Sequence, residues 1–68
     1  MNRFEKYLHK HGFDRTLDEL GIDYSTFWKW KNGKSAPTRN RAIRIARATD
    51  GKVKVSDVIL FGIKEEDL

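Results

Sequence analysis

The sequence predicts an all-α domain of five short helices, and three observations carry that prediction. Glycines stand at 12, 21, 33, 51 and 62, each after a stretch whose apolar residues recur with helical spacing. Residues that cap helices, Asn2, Asp23, Thr38 and the pair Ser56-Asp57, precede several of those stretches. A hydrophobic content of 38% with eight aromatic residues is enough for one core, and 35% charge gives it a solvated surface. The expected division is a helical domain over 1–62 and an acidic tail over 63–68 that carries Glu65, Glu66 and Asp67.

The first helix is expected over 2–11, capped by Asn2, with Phe4, Tyr7, Leu8 and His11 as one apolar stripe and His11 at the edge of the core. A short second helix opens at Phe13 or Asp14, turns Leu17 and Leu20 inward and ends at Gly21. Asp23 can cap a third helix over 24–32 by accepting its first unpaired N–H groups, with Phe27 and Trp30 packed over Ile22. Asn32-Gly33 ends that helix and Lys34–Pro37 forms a turn. The fourth helix follows Thr38 and presents Ala42, Ile45, Ala46 and Thr49 on one face, with arginines on the others. After Gly51, Val53 and Val55 alternate with lysines as a short strand would, whereas Ser56-Asp57 would cap a last helix over 57–61. The helix is favoured.

Composition excludes several functions. There is no cysteine, and His9 and His11 have no clustered carboxylates beside them, so no metal site is expected. No apolar run approaches the roughly 18 residues that a membrane span requires, and no signal-peptide core is present, so a cytoplasmic location is expected. No nucleophile is paired with a base and no glycine-rich phosphate loop follows a strand, so neither enzymatic activity nor a cofactor is expected. The charge is more informative. Residues 29–54 hold nine basic side chains and one acidic one, a net +8 that leaves −4 for the rest of a chain at +4. Such polarity points to an anionic partner on one half of the molecule.

The motif lies between Thr16 and Trp30. Gly21 is followed at +1 by Ile22, at +6 by Phe27 and at +9 by Trp30. The glycine allows a sharp turn between two helices, and the three apolar residues then pin the second helix while its opposite face stays bare. A helix held in this way fits a DNA major groove about 12 Å wide.

With these residues the chain resembles the Cro-type phage regulators within the lambda-repressor-like helix-turn-helix group. Trp30–Pro37 is similar to the family's Trp-x-x-Gly-x-x-x-Pro exit from the recognition helix, and Ala42–Val53 is similar to its fourth helix and Gly-Lys-Val turn. Gly12 stands nine residues before Gly21, as a glycine does in Cro proteins, so the resemblance covers about residues 10–60. Leu17 stands where the family usually has alanine, which should push the two helices of the motif apart.

The resemblance implies a compact five-helix domain that binds double-stranded operator DNA. Tyr24, Ser25, Trp28 and Lys29 would face the bases, with Thr26 at the edge. Phosphate contacts would come from Arg15, Thr16, Thr26, Lys31, Lys34, Ser35, Arg39 and Asn40, since Phe13 fills the position where the family often has a phosphate-binding glutamine. A two-turn helix reads few base pairs, so a homodimer on an inverted repeat is expected, with Val53, Val55, Ile59 and Phe61 (together with Leu60 and Ile63) as its surface, the alternative being that these residues cap the monomer core. The expected role is transcriptional repression by occupying promoters, without a small-molecule effector. The alternative is a protein-interaction module, an antitoxin or phage accessory factor, whose basic face binds an acidic protein.

Overall fold

Five helices appear in the computed structural model, which describes residues 2–63: α1 Arg3–His11, α2 Phe13–Glu19, α3 Tyr24–Lys31, α4 Arg39–Ala48 and α5 Val55–Ile59. There is no strand among the described residues, so the alternation of Val53 and Val55 belongs to a loop and the start of a helix. The acidic tail expected over 63–68 lies, beyond Ile63, outside the described residues.

Local chemistry explains most of the boundaries. The Asn2 side chain accepts from the Phe4 N–H at 2.7 Å and its amide donates to the Asp57 carbonyl at 3.0 Å, so one residue caps α1 and ties it to α5. Thr38 Oγ1 accepts from the Arg41 N–H at 3.2 Å and opens α4. The last helix begins at Val55, two residues before the expected start, because Lys54 is the cap position. Asp57 then sits in the first turn and accepts from the Lys54 N–H at 2.9 Å. Asp23 occupies the cap position of α3, but its carboxylate accepts from the hydroxyls of Thr26 (3.3 Å) and Ser25 (3.5 Å) and from no backbone N–H.

The core is one cluster that draws on every helix: Phe4 and Leu8 from α1, Leu17 from α2, Phe27 and Trp30 from α3, Ala42 and Ile45 from α4, and Val58 from α5. Ile22, Val53 and Phe61 fill it from the connecting segments. Phe61 is its aromatic hinge, edge-on to Phe4 at 5.3 Å and tilted against Phe27 at 5.2 Å. The expected dimer residues Val53 and Phe61 are therefore buried in the monomer, leaving Val55 and Ile59 half-buried. On α1, Phe4 and Leu8 face inward and Tyr7 is half-buried. His11 is exposed, stacked outside on Tyr7 at 4.3 Å rather than at a core edge.

The helix pairs whose backbones run closest are α4 with α5, α1 with α2 and α1 with α5. The third helix belongs to none of these pairs and is seated by the side chains of Phe27 and Trp30. Leu17, expected to push the two helices of the motif apart, is buried in the core cluster.

Candidate nucleic-acid interface

On α3, successive residues rotate by about 100°. Tyr24, Ser25, Trp28 and Lys29 therefore share one arc of the helix, while Phe27 and Trp30 share the opposite one. The structure follows this division: Phe27 and Trp30 are buried, and the other four are exposed. Tyr24 is 56% exposed and Trp28 37%, far more than aromatic side chains of a core would be. Their rings meet at 5.8 Å.

This aromatic surface continues off the helix. Phe13, at the start of α2, meets Tyr24 edge-on at 6.0 Å and Phe27 at 4.9 Å, and the exposed His9 of α1 stacks on Phe13 at 5.4 Å. Phe13 thus links the exposed face of α3 to its buried one. Phe13 is therefore a packing element.

Two polar contacts hold α3 in place. Arg41 of α4 donates from Nη2 to the Gly21 carbonyl at 2.7 Å, and its guanidinium lies 5.2 Å from the Trp30 ring centre. Gly21 itself has φ +68°, the left-handed conformation that its turn requires. At the other end, Lys31 Nζ contacts Glu5 Oε2 of α1 at 2.6 Å and lies 5.1 Å from the Trp28 ring centre. The Glu5 side chain is only 12% exposed, so this pair is partly shielded from water.

The expected phosphate-binding residues divide into two groups. Lys34, Ser35, Arg39 and Asn40 are exposed along the exit from α3 and the start of α4. Arg15 is exposed and pairs with Glu19 one turn on, at 3.1 Å, an open surface pair that a stronger anion can displace. Three residues depart from expectation. Thr16 is buried, 3% exposed, and its hydroxyl has no hydrogen-bond partner, so it is no surface ligand. The Lys31 ammonium is engaged by Glu5, and the Thr26 hydroxyl, half-buried, is engaged by Asp23.

The sequence alone does not mark Arg41, Glu5 or Phe13 as determinants of this face. Their contacts span 20, 26 and 11 residues, and nothing local in the sequence marks them. Next to the face, a groove of about 500 Å³ between the end of α2 and α4 is lined by Glu19, Thr38, Asn40, Arg41 and Arg44 among others. Among the described residues, no group of three or more metal-ligating side chains occurs, and no helix is long and apolar enough to cross a membrane. Comparison of the chain with protein families, with curated proteins and with solved structures gives no match.

Proposed function

We infer that the protein is a sequence-specific double-stranded DNA-binding regulator with a lambda-repressor-like helix-turn-helix, α2–turn–α3, whose third helix enters the major groove. One observation carries this reading. The third helix is fixed from behind by Phe27, Trp30 and Arg41, and presents Tyr24, Ser25, Trp28 and Lys29 together on its open face. In this arrangement Lys29 donates to guanine O6 or N7, Ser25 and Tyr24 bond base edges or phosphates, and the Trp28 ring packs on thymine methyl groups. Lys34, Ser35, Arg39 and Asn40 hold the phosphate backbone beside the groove, with Arg15 on the flank.

The protein binds as a homodimer to an inverted repeat and acts as a repressor by occupying a promoter. Its dimer surface is centred on Leu60 and Ile63, each 44% exposed, with Val55 and Ile59 partly buried beside them. No effector or cofactor is required. Selection of bound duplexes from a random pool, at near-physiological salt, tests this reading. Enrichment of an inverted repeat with half-sites about 10 base pairs apart is the expected result, and failure to enrich any sequence overturns it.

A second reading has its own support. Tyr24 and Trp28 form an exposed aromatic pair beside a basic segment, a surface that also suits an acidic protein partner such as an antitoxin or accessory factor would bind. Binding that lacks any base preference would favour it.

A further inference from the structure

A second basic surface lies on α1, away from the face of α3. Arg3, Lys6 and Lys10 recur at spacings of three and four residues, so they share one side of the helix. Lys52, from the loop between α4 and α5, joins them around a depression of about 350 Å³ whose other lining residues are Tyr7 and His11. All four cations are exposed, and none lies within 4 Å of a carboxylate among the described residues. The carboxylate contacts of α1 are on another side of the helix, where Glu5 meets Lys31 and lies 3.9 Å from His9 Nε2. At about 100° per residue, the side of Arg3, Lys6 and Lys10 is turned more than a quarter of a circle from Glu5 and His9. The segment 29–54, which carries most of the net positive charge, supplies only Lys52 to this surface.

We propose that this α1 surface is a second nucleic-acid site, which takes the phosphate backbone of a separate duplex segment while α3 faces its own. The lining decides the class of partner. It holds four cations, a phenol and an imidazole and no aliphatic side chain, whereas protein interfaces are built on an apolar centre. Arg3 to Lys10 spans about 10 Å of helix, over which one strand of a duplex presents about three phosphates. The polar rings of Tyr7 and His11, 4.3 Å apart, form a floor that can donate to phosphate oxygens without excluding them. The consequence is a small protein that brings two DNA segments together.

The test uses the full chain and two differently labelled random-sequence duplexes, one of them immobilised. The variant Arg3→Gln/Lys6→Gln/Lys10→Gln/Lys52→Gln should lose co-capture of the second duplex and lower the slope of log affinity against log salt by about three. A set of Lys→Arg changes at 6, 10 and 52 should keep both, and an unchanged thermal melt of the glutamine variant shows that charge and not folding is responsible. If the glutamine variant matches the unchanged protein in both measurements, the surface is merely solvated and the proposal falls. If polyglutamate competes better than duplex for the co-captured position, the partner is an acidic protein and the proposal also falls. Failure of the α3 reading looks different: Lys29→Ala and Arg39→Ala would be silent while the glutamine variant still lost duplex binding.

Discussion

Arg41 and Gly21 are joined across twenty residues by a 2.7 Å hydrogen bond from the guanidinium to the backbone carbonyl, which braces the bend between α2 and α3 from α4. The same guanidinium covers the Trp30 ring, so one side chain restrains both the start and the end of the α3 region. Arg41→Ala should cost about 1–2 kcal/mol of stability. Arg44→Ala, on an exposed side chain of the same helix, should cost less than about 0.5 kcal/mol. Chemical denaturation of the two variants checks this, and equal losses would show that the brace is idle.

Two glycines separate conformational strain from close packing. Both have positive φ, but a Cβ at Gly21 would meet nothing within 4 Å, whereas one at Gly62 would lie 1.9 Å from the Trp30 carbonyl oxygen. Gly21→Ala should therefore cost only the left-handed penalty, about 1–2 kcal/mol. Gly62→Ala must displace backbone and should cost clearly more, lowering Tm by over 10 °C at the roughly 4–8 °C per kcal/mol of a domain this size. Thermal melts of both variants make the comparison.

Thr16 offers a gain. Its buried hydroxyl has no partner, so Thr16→Val removes an unpaired polar atom while keeping the shape of the side chain. Stability should rise by about 1 kcal/mol, with duplex affinity unchanged. A tenfold loss of affinity in a binding titration would mean that the hydroxyl reaches phosphate after all.

Glu5→Gln probes the charge that is held in reserve at the end of α3. It removes the partner of Lys31 and makes that ammonium available to an anion. Duplex affinity at low salt should increase, with the log–log salt slope steeper by about one. Lys29→Ala should act otherwise, flattening base preference, and Arg39→Ala should weaken all sequences alike. Salt titrations against several duplexes separate the three.

Leu60→Lys/Ile63→Lys should abolish the proposed self-association while costing the monomer fold little, because both side chains are partly exposed, at 44% each. Val53→Ala, inside the monomer core, should instead destabilise the fold by about 1–3 kcal/mol. Sedimentation and melting together distinguish them.

Periodicity and glycine placement made the helices legible, because Phe27 with Trp30 and Phe4 with Leu8 each define a face within one helix. The burial of Thr16 carried a readable signal as well. Residues 13, 16, 17 and 20 form one helical face, all buried or half-buried, and a threonine in that row belongs to the interior whatever its polarity. Phe61 carried none. At the end of the expected helix over 57–61 it reads as dimer surface, and only the chain's return between Phe4 and Phe27 makes it core. The partners of Lys31 and Arg41 were likewise hidden, because either lysine or arginine at those positions could as well have been a solvated charge.

The seat of Gly62 against Trp30 gives the molecule a mechanical property. Leu60 and Ile63 bracket that glycine, so this exposed apolar pair adjoins the point where the backbone after α5 meets the last turn of α3. If the proposed dimer forms there, repacking at Leu60 and Ile63 would act on the segment that touches α3.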